Sequence, residues 1–410
     1  MRATTLLRLL SRLQPQKTAV GGFELTADHG TLYLDVKPTT RRLRCGVCER
    51  KAAAYDHRER EWRHTDLGET RVVLRCRLAR VSCARCGVTT QSVPWAAHSA
   101  WHTYDFEDLV AYKAQGADRT RIAQEMRISW DTVGAITTRV VERLMKKNGD
   151  RLDGLRRIGL DELSYRKGHH YISVIVDHDA GRLVWAGEGR TESTVARFFD
   201  ELGPTRAAEI ELVTIDMSAS YEAALRQHAP KAEIVFDRFH VQRLAHDALD
   251  EVRREIMRGI KGTPEGKALK KSRWALQRNV ENQSPRDGAK LSAVMSTNLP
   301  LYRAYLLKTT LVAILDGHSV EDARTQLEAW VAWAARSRLQ PFVRVGRTIR
   351  KHMDGILAYV RTRLSNGRSE GFNGKARVVT RRSFGFHSAA PLIATLFLCC
   401  SGFKLSPRHA

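Results

Sequence analysis

The chain has 410 residues, too many for one ordinary domain, and 43% are hydrophobic, enough for a large buried core. Lysine and arginine outnumber aspartate and glutamate by 68 to 45, a formal charge of +23, which favours a polyanionic partner because each phosphate neutralised releases a counterion. No stretch is long and apolar enough to span a bilayer, which excludes a class built on membrane-spanning helices. Four of the seven cysteines form two CxxC pairs, which fits a reducing compartment and a metal site better than a disulfide framework.

In chain order, MRATTLLRLLSRLQPQ reads as a short amphipathic helix; Arg8 and Arg12 interrupt its apolar run, so it is no signal peptide. GFELTADHGTLYLDVKP alternates as a hairpin does. RRLRCGVCERKAAAYDHRERE reads as a basic, Cys-rich turn region, and residues 70–90 as strands carrying the second CxxC. Cys45 and Cys48, with Cys83 and Cys86, could place four thiolates in a tetrahedron around a structural zinc ion, with no position left open. The separation between the pairs exceeds that of a simple ribbon, and an inserted strand pair accounts for it. His57 and His64 are alternative ligands that the four-cysteine set does not need. Cys76 reads as core, and Cys399 and Cys400 as packing residues of an apolar terminal helix.

ADRTRIAQEMRISWDTVGAITTRVVERLMKK predicts two helices around a turn, capped by Asp118 and Ser129. Ile122, Met126, Ile128, Val133 and Ile136 have the spacing of a shared core. Such a helix-turn-helix inserts its second helix in the major groove, here with Trp130, Asp131 and Thr132 near its start and Arg139 further along. Arg127 stands where the turn often carries glycine, and an ordinary helical hairpin is the plainer alternative.

From Gly154 to His240 strands alternate with helices. IGLDEL, YISVIVDH and RLVWAGEG give three strands, followed by a helix, the strand ELVTIDM, a helix and the strand AEIVFDRFH. This order is that of a ribonuclease H-like core. Asp161 lies in the first strand and Asp216 follows the fourth. Glu370, in NGRSEGFNGKAR, opens a helical segment. Hard carboxylates so placed suit two Mg2+ ions, with Mn2+ as a substitute, for phosphodiester chemistry. Asp237 and His240, after the fifth strand, could orient that site from behind or compete for it. Glu162 follows Asp161 and should face the other side of its strand; Asp177 and Asp179 read as turn residues. Taken alone, each acid is equally a surface carboxylate. Residues 241–350 are long, charged and helical, with GTPEGKALKK as a loop.

The segments CGVCERK, HTDLGETRVVLRCRLARVSCARC, IGLDELSYRKGHHYISVIVD, TIDMSASYEAAL, FDRFHVQRLAHDALDEVRRE and NGRSEGFNGKARVVTRRSFGF resemble DDE transposases of the ISL-three insertion-sequence family, in the family's order and over nearly the full length. The resemblance implies a multidomain α/β protein. Its zinc-binding domain spans 1–100 and its helix-turn-helix domain 101–150. A ribonuclease H-like core over 154–240 resumes at 351–410 after a helical insertion over 241–350. It implies Asp161, Asp216 and Glu370 as catalytic acids and Asp237 and His240 as an accessory Asp-x-x-His element. Arg368, Asn373 and Lys375, beside Glu370, are candidates to hold phosphates. The implied activity is binding of an element's terminal inverted repeats, metal-dependent strand cleavage and strand transfer into target DNA. A non-catalytic DNA-binding regulator is the alternative. Two DNA ends must meet, so a homodimer or larger assembly is expected, in the bacterial cytoplasm with the nucleoid and without a membrane.

Overall fold

The computed structural model of the chain describes residues 17–40, 42–166, 168–364, 367–383 and 385–405; of residues 268 and 367–370 it describes the backbone alone. The leading helix read over residues 1–16 lies outside the described residues. The chain forms two compact units, Met1–Gly149 with Val379–Ala410, and Asp150–Val378. The segment expected over 351–410 is therefore shared between the units.

The first unit opens with a five-stranded sheet. Strands β1 (Thr18–Leu25) and β2 (Thr31–Pro38) form the antiparallel hairpin the alternation predicts. β3 (Ala53–Leu67) and β4 (Thr70–Cys83) form a long second hairpin, and β5 (Gly87–Thr90) pairs with β4. The sheet order is β1-β2-β4-β3, with β2 parallel to β4. The sequence reading left residues 53–61 as a turn region, and here it is corrected. DHRERE shows no apolar alternation because β3 is an edge strand whose outer half extends past the core. Only its inner end, at Trp62, joins Leu34, Leu74, Leu78 and Trp95 in the buried cluster. The inserted strand pair between the two cysteine pairs is this β3–β4 hairpin.

Three helices follow: α1 (Tyr104–Ala114), α2 (Arg119–Met126) and α3 (Trp130–Lys147). Asp118 accepts from the Arg121 N–H at 3.0 Å and Ser129 from the Thr132 N–H at 3.2 Å, the two caps read from sequence. Ile122, Met126, Val133 and Ile136 are buried between the helices, and Ile128 is half-buried. Glu107 of α1 is fully buried and paired with Arg139 and Arg143 of α3, so α1 and α3 are joined by charge as well as by packing.

The second unit carries a sheet of β6 (Arg157–Arg166), β7 (His170–Asp177), β8 (Arg182–Glu188), β9 (Leu212–Ile215) and β10 (Glu233–Phe236). Between β8 and β9 lie α4 (Glu192–Leu202) and the short α5 (Pro204–Ala207); α6 (Ala219–His228) links β9 to β10. The order is β10-β9-β6-β7-β8; β7 alone runs opposite to the other four strands, and β6, β9 and β10 pair in parallel. Val195, Phe198, Val213, Ile215, Tyr221 and Val235 fill the space between sheet and helices. Each such fully buried side chain contributes about 1.5–3 kcal/mol.

Beyond β10 the chain is helical. α7 (Arg238–Gly259) leads through α8 (Pro264–Ala268), α9 (Arg273–Gln277), α10 (Pro285–Thr297), α11 (Leu299–Asp316), α12 (Val320–Arg336), α13 (Gln340–Lys351) and α14 (Met353–Thr362). The loop expected at GTPEGKALKK contains the short α8, started by the Thr263 cap and Pro264. α14 returns to pack on β10. α15 (Gly367–Arg382) follows, and the apolar α16 (Ala389–Cys400) packs on α3 within the first unit. Among the described residues no helix is long and apolar enough to cross a membrane.

Candidate functional site

The parallel register places three acids in one row. Gly159 of β6 is opposite Thr214 of β9, so Asp161 falls level with Asp216, just past the end of β9. Ile215 is opposite Phe236 of β10, so Asp216 falls level with Asp237. Carboxyl ends of parallel strands are where open α/β sheets bind ligands. Asp161 is 8% exposed and Asp237 2% exposed; Asp216 is partly open. Asp237 starts α7, with its N–H on the Ile215 carbonyl at 3.1 Å, and His240 lies one turn into that helix.

Asn373 of α15 donates from Nδ2 to Asp161 Oδ2 at 2.7 Å, and the Glu162 N–H donates to Asp161 Oδ1 at 2.7 Å. Burial holds the Asp161 carboxyl above the usual carboxylate range and the charge of Asp216 pushes the same way; the Glu162 N–H, Asn373 and His240 pull against it. Asp216 is raised likewise by burial and by Asp237, against the pull of His240, the Ser218 N–H and Arg190. Glu162 is raised by burial and by both aspartates, against Arg190. The acids thus act on one another, and His240 acts on two of them.

Burial and mutual repulsion hold the carboxyls of Asp161, Asp216 and Glu162 back from ionising, a charge demand that a divalent cation would meet. Asn373 Oδ1 is buried and accepts no hydrogen bond among the described residues.

Glu370 lies in the first turn of α15; its side chain and that of Arg368 lie outside the described residues. Lys375 is exposed. Asp177 accepts from the N–H groups of Asp179 and Ala180 at 2.8 and 3.2 Å, and Asp179 pairs with Arg157, as turn residues do.

Sequence reasoning missed Arg190. It follows β8, which runs parallel to β6, so its loop lies at the same end of the sheet as the acids. Its guanidinium sits 4.0 Å from the centre of the Tyr171 ring and 3.4 Å from Glu162. Strand polarity, once worked out, would have brought this loop to the site. Tyr221 was missed too. Its hydroxyl meets Ser173 Oγ at 2.9 Å, and burial with the nearby acids raises its pKa far above the usual phenol.

The second site is in the first unit. Sγ atoms of Cys45, Cys48, Cys83 and Cys86 all lie within 4.8 Å of one another, with Cys48 and Cys83 at 3.6 Å. A tetrahedral zinc–thiolate centre with bonds of about 2.3 Å requires sulfurs about 3.8 Å apart, so the set fits zinc. The N–H groups of Arg85 and Cys86 lower the Cys83 thiol to about 7, which favours the thiolate a metal takes; burial and the neighbouring thiols push Cys86 up to about 12. A Cβ at Gly46 would come within 2.7 Å of the Thr90 carbonyl, so the tight CGVC turn requires glycine. His57 is exposed, and buried His64 bonds Thr103 through Nδ1 at 2.8 Å; neither belongs to this four-sulfur group.

On α3, Trp130 is half-buried. Arg119 lies 4.5 Å from its ring centre and His387 meets it edge-on at 5.3 Å. Thr132 Oγ1 bonds Ser129 Oγ at 2.8 Å, Asp131 is exposed, and Arg139 is engaged with Glu107.

A model described as transposase matches residues 158–396, and one described as the helix-turn-helix domain of transposase family ISL3 matches residues 91–141. The transposase for insertion sequence element IS1557 of Mycobacterium tuberculosis is 38% identical over 409 residues, covering 93% of this chain and 92% of that protein. The transposase for insertion sequence element IS1001 of Bordetella parapertussis is 28% identical over 361 residues, covering 87% and 88%. With residues 91–141 and 158–396 matched by the two family models and 93% of its length covered by a 38% identical transposase, the chain belongs to transposase family ISL3.

Proposed function

We propose that the chain binds the terminal inverted repeats of its own element, cleaves DNA at the element end and joins the freed 3′-hydroxyl to target DNA. The catalytic unit is a ribonuclease H-like core with Asp161, Asp216 and Glu370 as its acids. The observation that carries this reading is the 2.7 Å contact from Asn373 to Asp161. It sets the start of α15 against the row of acids. Position 370 lies three residues earlier in that helix, one turn away on the same face.

Two Mg2+ ions bound by the three acids would lower the pKa of an attacking water or 3′-hydroxyl and stabilise the departing oxygen. Asp161 and Asp216 supply oxygens from adjacent strands of a rigid sheet. Asp237 and His240 hold their orientation from the start of α7. Arg368 and Lys375 flank the site as phosphate contacts. Cys45, Cys48, Cys83 and Cys86 hold a structural zinc ion in the module ahead of the helix-turn-helix. Two such chains pair to bring two ends together.

The test is cleavage of a DNA end carrying the inverted repeat, with Mg2+ and with chelator. Asp161→Asn and Glu370→Gln should each reduce cleavage by on the order of 10³-fold or more while repeat binding stays within about twofold. Cleavage that survives either substitution would remove that acid from the reaction, and unchanged activity in chelator would remove the metals.

A further inference from the structure

The first unit carries a groove of about 1130 Å³ on its sheet, lined by strand residues and, at one edge, by His98, Ser99 and Trp101, which fall within the helix-turn-helix match but precede its helices. Strand register tells which side chains face it. Arg58 is opposite Leu78 and Arg60 opposite Cys76, and Leu78 and Cys76 face the buried cluster with Val36. Arg58, Arg60 and, two residues beyond Leu78, Arg80 therefore share that face where it runs past the core. Asp35, Glu59 and Glu61 border the groove at the alternate positions and project from the opposite face, where Asp35 pairs with Arg75 at 3.0 Å. Asp56 on the groove side is taken by Arg80. The groove thus has an apolar floor at Val36 and Cys76 and an arginine rim.

Trp101 stands at its edge, 66% exposed. It is nonetheless held. Its carbonyl accepts the Arg63 N–H at 2.9 Å, and Arg60 donates to the neighbouring Ala100 carbonyl at 2.8 Å. The Arg60 guanidinium lies 5.7 Å from the Trp101 ring centre and 5.2 Å from that of Trp62. A large ring kept in water on a fixed backbone, beside a guanidinium, is a stacking platform. A base can stack on it only if its own face is free, as in unpaired nucleotides; in a duplex those faces are covered by neighbouring pairs.

We propose that this groove binds unpaired nucleotides of DNA, with a base stacked on Trp101 and the flanking phosphates on Arg58 and Arg60. The inference rests on the DNA-binding reading above and names a second, single-strand site for it.

The experiment uses the full-length protein and a labelled twelve-nucleotide oligothymidine, followed by fluorescence anisotropy, with a blunt duplex of the inverted repeat in parallel. Wild type should bind both. Trp101→Ala should weaken oligothymidine binding at least about tenfold and leave the duplex within about twofold, and Trp101→Phe should restore most of the loss. Arg58→Ala with Arg60→Ala should flatten the salt dependence, by about 0.7 in log–log slope for each lost phosphate contact. Zinc content and melting temperature report whether each variant is folded. If Trp101→Ala misfolds, exposed Arg58→Glu takes its place and should weaken the oligothymidine selectively. A folded variant of either kind that binds oligothymidine as wild type does, or that loses both ligands equally, overturns the proposal. Wild type that binds duplex but no oligothymidine also overturns it, whereas binding of neither ligand sinks the DNA-binding reading itself.

Discussion

At Asp216, Asp161 and Glu162, burial raises the folded-state pKa above the value each carboxyl has in the unfolded chain. Such groups stabilise the fold where they are protonated, below the ordinary carboxylate range, and that stability is lost as pH rises through the folded pKa. At neutral pH the metal-free acids therefore oppose folding. Asp216→Asn should raise the melting temperature of chelator-treated protein at pH 7, by on the order of 1–3 °C, with the gain shrinking as pH is lowered into the carboxylate range. Mg2+ should then stabilise wild type more than the variant. A variant that melts lower than wild type in chelator, or that gains as much from Mg2+, would sink this account. The position of Asp216 was legible because it closes an apolar run at the end of β9; Asp161 follows the apolar run of β6 but lies mid-strand, and it comes level with the sheet's open edge only because β9 beside it is shorter. Arg190 was not legible, since alternation says nothing about loops; it needed the direction of β8, which only the pairing with β7 supplies.

In the helix-turn-helix, Arg127 ends α2 in the left-handed region, φ 54° and ψ 47°, where glycine is the usual residue. The side chain compensates. It donates to the Glu69 carbonyl at 2.7 Å and pairs with Asp66, both at the tip of the β3–β4 hairpin. Arg127→Ala keeps the backbone cost and loses both contacts; Arg127→Gly loses the same contacts but relieves the backbone. The glycine variant should therefore be more stable than the alanine variant by about 1 kcal/mol in urea unfolding, with both below wild type. Equal stabilities would mean the turn is unstrained. From sequence, Arg127 looked like a defect of the motif, because a long-range partner in a preceding hairpin leaves no local trace. The caps at Asp118 and Ser129 were legible, being local chemistry. β3 was hidden for the opposite reason: charged residues on the outer half of an edge strand carry no burial pattern, and pairing with β4 alone makes it a strand.

Across the whole chain, the first unit is discontinuous, and nothing in the order of motifs announces it. PLIATLFLCC is apolar on every side, which says that α16 is buried but not by what. It packs on α3, burying Leu392 and Leu396 completely. Arg382 donates to the carbonyls of Ala114 and Gln115 at 3.1 and 2.6 Å, satisfying the open C-terminal end of α1. Two buried leucines contribute about 1.5–3 kcal/mol each, and a pair of charge-assisted bonds a comparable amount. That sum is similar to the whole net stability of a typical domain, about 5–15 kcal/mol. A fragment of residues 1–149 should therefore keep the strands around its four clustered cysteines but lose slow hydrogen exchange in α1 and α3, whereas the same fragment joined by a flexible linker to residues 379–405 should recover it. Equal protection in the two fragments would show that the three helices stand without their C-terminal cover. It would also move the boundary of the DNA-binding half back to Gly149.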